Sequence, residues 1–241
     1  NLRSHWYLLL GCFAFIGFVI YGASLGNSFV RWDDGLLIYE NPAIRGFSLA
    51  NLKTIFTTYD PELYIPLTLL SYQFDFLLSG TNPAWYHFHS LILHILNATL
   101  VVWVLKSLTK NIWVSLLTGV LFLIHPLHTE AIAWASGRKD LLSTLFFLLS
   151  TGFYLTKKKR MSLAAFTLGL LAKVRIVTLP ITLLLIDYYK GEGINKDTVK
   201  NKIPYFVLAL LFAVIAYFGK SQMLQTETLV QIIAMAGKST A

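Results

Sequence analysis

Residues 6–25 run without a single Asp, Glu, Lys or Arg, and that stretch constrains the fold more than any other feature. About 20 apolar residues are what a helix needs to cross the hydrocarbon of a bilayer. Further apolar runs follow at 87–105, 112–124, 141–156 and 203–219. In lipid every backbone N–H and C=O must be satisfied internally, which leaves helices or closed barrels. The runs are continuous and lack the alternation of barrel strands, so helices are expected. Only 13% of residues are charged and 56% are hydrophobic, against roughly 25% charged in soluble domains. There is too little charge to clothe a water-facing surface. The expected fold is therefore all-α and polytopic, with 1–241 as a single transmembrane domain. The first run ends without a small-residue cleavage site and reads as a retained span. Cys12 stands alone in it and cannot form an internal disulfide.

The net charge of +8 carries no nucleic-acid motif with it. The bases lie between the apolar runs: Arg3, Lys106, Lys110, the run Lys157-Lys158-Lys159-Arg160, and Lys190, Lys196, Lys200 and Lys202. All fall on one side if the spans alternate, and the Lys/Arg bias assigns that side to the cytoplasm. The opposite side receives a first outer loop, 26–86, and a second, 125–140, which hold eight of the twelve acids. The scheme requires the tract 161–189 to leave the basic side and return. Its 29 residues extend only about 43 Å as helix, too little for two full spans. A re-entrant hairpin is expected, turning at Lys173-Val174-Arg175, with Pro180 breaking the returning helix. The alternative is one tilted helix whose Lys173 and Arg175 snorkel, which would invert everything downstream.

Within the first outer loop Leu49, Leu52, Ile55 and Phe56 have helical spacing, as do Leu67, Leu70, Phe74, Leu77 and Leu78. Amphipathic helices lying along the membrane are expected there. Asp33 and Asp34 follow Trp32 shortly after the first span. Adjacent carboxylates repel unless a proton, a cation or a substrate intervenes, and such a pair supplies a general base; equally, one of them caps a helix starting near Gly35. The second loop reads His125-Pro126-Leu127-His128-Thr129-Glu130, then Ser136-Gly137-Arg138-Lys139-Asp140. His125, His128 and Glu130 are metal-ligand types, although Pro126 disrupts a simple one-face helical site, and hydrogen bonding within the loop is the plainer reading. Arg138 and Lys139 are either interfacial anchors or phosphate ligands, and Lys173 and Arg175 can join them. The tryptophans fall mostly near span ends, as an interfacial belt does.

The order of short motifs adds a further signal. Trp32-Asp33-Asp34, Glu40-Asn41-Pro42, Pro66-Leu67-Thr68, Asn82-Pro83-Ala84-Trp85-Tyr86, His94-Ile95-Leu96-Asn97, His125-Pro126-Leu127-His128 and Gly137-Arg138-Lys139-Asp140 occur in that sequence. The set resembles the membrane domain of the transmembrane and tetratricopeptide-repeat O-mannosyltransferases and their prokaryotic relatives, within the GT-C superfamily of glycosyltransferases. The resemblance implies a GT-C-like N-terminal bundle of a longer chain, with juxtamembrane helices in the first outer loop. It also implies transfer of a sugar, mannose among the candidates, from a polyprenyl-phosphate carrier to a hydroxyl of a protein acceptor, with inversion. The setting it implies is the extracytoplasmic face of a prokaryotic inner membrane. Asp33 and Asp34 would form the acidic motif of the active site. The donor phosphate is expected at Arg138, Lys139, Lys173 and Arg175, supported by Glu40, His125, His128, Glu130 and Asp140. No cofactor is established, and a divalent metal is compatible with the motif. The chain departs from the family pattern at Ile65, where Arg is usual, and at Lys173-Val174-Arg175. A lipid-carrier flippase and a noncatalytic membrane scaffold are the rival classes; a flippase needs intramembrane cations but no outer acidic pair.

With Cys12 replaced, Ser48→Cys and Lys158→Cys are expected to react with a membrane-impermeant maleimide from opposite faces of a sealed vesicle. Labelling of both from one face would overturn the alternation of spans.

Overall fold

The structure, a computed structural model, describes residues 2–59 and 63–238. Asp60 and Glu62, two of the acids assigned to the first outer loop, lie outside the described residues. Among the described residues there is no strand. The helices are α1 (Leu2–Tyr21), α2 (Leu49–Thr57), α3 (Pro66–Ser79), α4 (Pro83–Thr109), α5 (Ile112–Ile124), α6 (Thr129–Ala133), α7 (Arg138–Leu155), α8 (Lys159–Ala172), α9 (Leu179–Tyr189), α10 (Lys196–Lys200) and α11 (Ile203–Lys238). The chain is an all-α polytopic membrane protein. Trp6–Gly26, Pro83–Thr109 and Ile203–Lys220 are each long and apolar enough to cross a bilayer.

The two other expected spans depart from straight crossings for local reasons. With 13 residues, α5 is about 20 Å long, short of the hydrocarbon thickness. It bends by 51° into Pro126–Ala133, because Pro126 has no N–H to continue the helix. Three residues earlier than its apolar run, α7 begins at Arg138, so its first turn carries Arg138, Lys139 and Asp140.

Sequence punctuation sets the helix ends. The Asn82 side chain accepts from Ala84 N and Pro83 follows at the first turn of α4; Asn111 accepts from Trp113 N and Val114 N to start α5. Each satisfies donors that a helix start leaves open. Between them Lys110 takes a left-handed φ of 59°, closing a two-residue turn that sends α5 back along α4. Close approach then depends on small residues, as is usual between membrane helices. A Cβ on Gly119 would stand 2.4 Å from Val102, and one on Gly152 would stand 2.0 Å from Trp103.

The tract 161–189 does run out and back. At one end of α7, the Tyr154 hydroxyl donates to Asp187 near the end of α9 at 2.6 Å, and Ser150 of α7 and Ser162 of α8 exchange hydrogen bonds at 2.8 Å. At the other end, Lys173 between α8 and α9 meets Asp140 in the first turn of α7. The turn falls at Lys173, which is extended, followed by the short 3-10 helix Val174–Thr178. Pro180 has the opposite role to the one expected: it stands in the first turn of α9 and helps to start it, since a missing N–H costs nothing there.

Three apolar clusters hold the parts together. Phe13, Leu91, Ile95, Val102 and Leu123 join α1, α4 and α5; Phe166, Leu170, Leu183, Tyr205 and Phe212 join α8, α9 and α11. The segment 26–86 has a core of its own, with Ile38, Ile44, Ile55, Leu69, Tyr72 and Tyr86. Ile65 belongs to it at 2% exposure, so the apolar side chain at this position is absorbed by packing. The exposed residues of α2 mix apolar Leu49 at 87% and Phe56 at 44% exposure with Lys53, Thr54 and Thr57, the mixture expected of a helix lying along a membrane surface.

Lys202, at the start of α11, forms an ion pair with Asp187, both fully buried. Removing one partner leaves an uncompensated charge and typically costs about 3–5 kcal/mol, whereas replacing both with apolar groups is often neutral. Lys202→Met is therefore expected to lower the thermal unfolding midpoint sharply, and Lys202→Met combined with Asp187→Leu to restore most of it.

Candidate active site

Asp33 and Asp34 are adjacent in sequence and opposite in environment. The Asp34 side chain is wholly buried. Its Oδ2 accepts from Val30 N at 2.9 Å, and its Oδ1 accepts from Ser136 N at 2.9 Å and from the Ser136 hydroxyl. Both oxygens are thus engaged, and the carboxylate ties the first outer loop to the second. The Asn27 side chain adds a bond to Ala133 O at 3.2 Å. Immediately after Asp34 the backbone makes a π-helical turn, Gly35–Tyr39, a feature found often at functional sites. Asp33 keeps a side-chain exposure of 37% and pairs at 2.5 Å with Lys139, whose own side chain is 7% exposed. The Lys139 ammonium lies 5.3 Å from the Trp134 ring, within cation–π range.

The neighbouring residues of α7 carry two more charge pairs. The Arg138 guanidinium is buried against Asp75 of α3, donates to Tyr86 O at 2.8 Å, and stacks 4.8 Å from the Tyr72 ring. Burial raises the Tyr72 hydroxyl well above its ordinary range, so it stays protonated and donates to Ala135 O at 3.0 Å. Asp75 also meets His89 of α4. Arg138 is thus a pin through α3, α4 and α7, and its fork is turned inward. Asp140 receives Lys173 on both oxygens, at 2.7 and 2.8 Å, and Arg175 at 3.5 Å. Arg175 is 78% exposed and Lys173 20%, so Arg175 faces open space while Lys173 is largely covered.

Beside this cluster lies a cavity of about 590 Å³ whose wall includes His94, Asn97, His128, Glu130, Trp134, Asp140 and Arg175. It is large enough for a hexose unit and its phosphate, judged by the few-hundred Å³ of ordinary ligand sites. Asn97 donates to Leu141 O at 2.9 Å, and His94 bonds Leu123 O at 2.9 Å, which holds the α4 side of the wall to α5 and α7. His125 accepts from Leu127 N at 3.3 Å and so caps its own short turn. Glu130 is exposed at the cavity, and Glu40 is exposed near Gly35. Among the described residues no three His, Cys, Asp or Glu side chains converge to hold a metal ion.

Of the residues singled out in the sequence, Asp33 pairs with Lys139, and Asp140 gathers Lys173 and Arg175; Asp140, Arg175, His128 and Glu130 are on the cavity wall. His125 stands beside His128, with ring centroids 5.9 Å apart, and Glu40 is not part of that wall. Ser136 and Asp75 were missed. Asp75 is the one acid in α3, and a lone carboxylate in an apolar helix is a signal for a buried cation partner.

No protein-family model matches the chain, and no solved structure is significantly similar to it. Curated relatives do match. Protein O-mannosyl-transferase Tmtc2 of Drosophila melanogaster is 31% identical over 219 residues, 82% of this chain and 23% of its own length. Protein O-mannosyl-transferase TMTC1 of Mus musculus is 37% identical over 140 residues, 54% of this chain and 15% of its own; the Homo sapiens protein of that name is 34% identical over 140 residues, 54% and 16%. The chain thus spans less than a quarter of the length of these relatives.

Asp34→Ala would strand the two buried donors of Ser136, at about 1–3 kcal/mol each, and the part-buried Val30 N–H. It is expected to cut thermal stability severely in detergent, while Asp33→Asn, which keeps an acceptor for Lys139, shifts the unfolding midpoint less. Equal destabilisation by both would contradict the division of roles between them.

Proposed function

The chain is a sequence relative of the Tmtc protein O-mannosyl-transferases, and from that relationship we propose that it forms the membrane-embedded catalytic part of a GT-C-type glycosyltransferase. In this reading a sugar, mannose on the relatives' names, passes from a polyprenyl-phosphate carrier to a hydroxyl of a protein acceptor. The reaction takes place on the extracytoplasmic face with inversion at the anomeric carbon. The observation that carries the proposal is the part-exposed Asp33 carboxylate paired with Lys139, next in the chain to Asp140, which holds Lys173 and Arg175 and lines a cavity together with Arg175.

The chemistry follows from what each group can still do. A hydroxyl is a weak nucleophile until its proton is taken in the transition state. Asp34 has both oxygens occupied and no exposure, whereas Asp33 has open surface, so Asp33 is the base. The acceptor oxygen bonds to the anomeric carbon as the bond from that carbon to the phosphate oxygen breaks. The proton goes to Asp33, and the carrier phosphate leaves with the electron pair. Asp140 balances only one of the two charges of Lys173 and Arg175; the remaining positive charge stabilises the departing phosphate. Lys139 orients Asp33. Arg138, with its guanidinium turned to Asp75, is withdrawn from the phosphate ligands and assigned to the scaffold.

With the full-length protein and a polyprenyl-phosphate-linked mannose donor, Asp33→Asn is expected to lower turnover by at least about 10²-fold, the usual share of a general base. Arg175→Ala is expected to weaken donor use with the fold intact. Undiminished turnover in Asp33→Asn would exclude Asp33 as the base.

A further inference from the structure

A second concavity lies at the far end of the bundle. It is a groove of about 570 Å³ lined by Trp6 of α1 and by Thr99, Trp103, Lys106, Ser107 and Lys110 on or just past α4. Its depth in the membrane follows from helix geometry. Tyr86, which receives Arg138 at the Asp33 end, and Lys106 are 20 residues apart on one helix, about 30 Å at 1.5 Å per residue. That is one hydrocarbon thickness. The groove therefore sits at the headgroup level of the opposite leaflet, where tryptophan rings and lysine stems are most stable.

The groove is built, and its charge is open. Trp103 is fixed from behind: its ring lies where a side chain at position 152 would be, which Gly152 vacates, and Phe153 meets it edge-on at 5.7 Å. The Lys106 ammonium stands 5.6 Å from the Trp6 ring. Neither Lys106 nor Lys110 has an ion-pair partner among the described residues, unlike Lys139, Lys173 and Lys202. Two uncompensated ammonium groups over a wall of indole rings match one chemistry: a phosphate with hydrocarbon attached.

We propose that this groove binds the phosphate headgroup of an anionic phospholipid, with Lys106 and Lys110 on the phosphate and Trp6 and Trp103 against the glycerol and upper acyl chain. The site is independent of the transferase reading, because it lies a membrane thickness from Asp33. A lipid phosphate gains roughly 1 kcal/mol from each lysine near the surface, so losing both lysines corresponds to about 30-fold weaker retention.

The full-length protein, extracted from vesicles of phosphatidylcholine with and without phosphatidylglycerol, is to be examined by native mass spectrometry. Retained phosphatidylglycerol in excess of phosphatidylcholine is expected for the wild type, lost in the double variant K106Q/K110Q and kept in K106R/K110R. K157Q/K158Q, which removes two exposed lysines outside the groove, is expected to retain it. Unchanged unfolding midpoints establish that the variants are folded. Equal retention of the two lipids, equal loss in K157Q/K158Q, or displacement by inorganic phosphate at equal concentration would each overturn the proposal.

Discussion

The arrangement at the active end depends on one buried carboxylate. Asp34 accepts from Val30 N, Ser136 N and the Ser136 hydroxyl, and through them two loops far apart in sequence become one surface. Charge-assisted bonds to a carboxylate out of water are the strong class of hydrogen bond. The consequences propagate along the chain. Ser136 fixes the turn that begins α7; the next residues, Arg138, Lys139 and Asp140, then point to Asp75, Asp33 and Lys173 in succession. Without Asp34 the charges of the first turn of α7 would have no common frame.

The two ends of α7 treat charge in contrasting ways. At the Tyr154 end, Lys202 and Asp187 are both buried and matched one to one, with the Tyr154 hydroxyl on the second carboxylate oxygen. Such a closed pair orients helices and offers nothing to a ligand. At the Asp140 end the cations outnumber the local carboxylate and Arg175 is exposed. A surplus of partly solvated positive charge at that end is compatible with an anionic ligand. Lys106 and Lys110 repeat that logic in the other leaflet, without any acid.

Arg138 and Lys139 show why neighbouring cations cannot be read as one group. A rotation of about 100° per residue along the helix carries Arg138 into the space between α3 and α4, where Asp75 and the Tyr72 and Tyr86 rings await it. The same rotation carries Lys139 toward Asp33 and Trp134. The planar fork of arginine suits the buried, multiply bonded position; the single ammonium suits the one beside a half-exposed acid.

Much of this was legible in the order of residues. The uncharged run 6–25, the clustering of bases between apolar runs, and the 29 residues of 161–189 imply helices, a two-sided distribution of charge and a hairpin turning near Lys173, because lipid excludes unpaired backbone and charge wherever they occur. The Asp33-Asp34 pair and the polar second loop marked the site for the same reason. What the sequence could not decide was partnership. Whether Asp33 or Asp34 faces solvent and whether Arg138 meets a ligand or Asp75 depend on residues 63 to 106 positions away. Local spacing carries the periodicity of a helix, but only packing determines which face of it meets water, and in Asp33 and Asp34 that difference separates a part-exposed carboxylate from a buried brace.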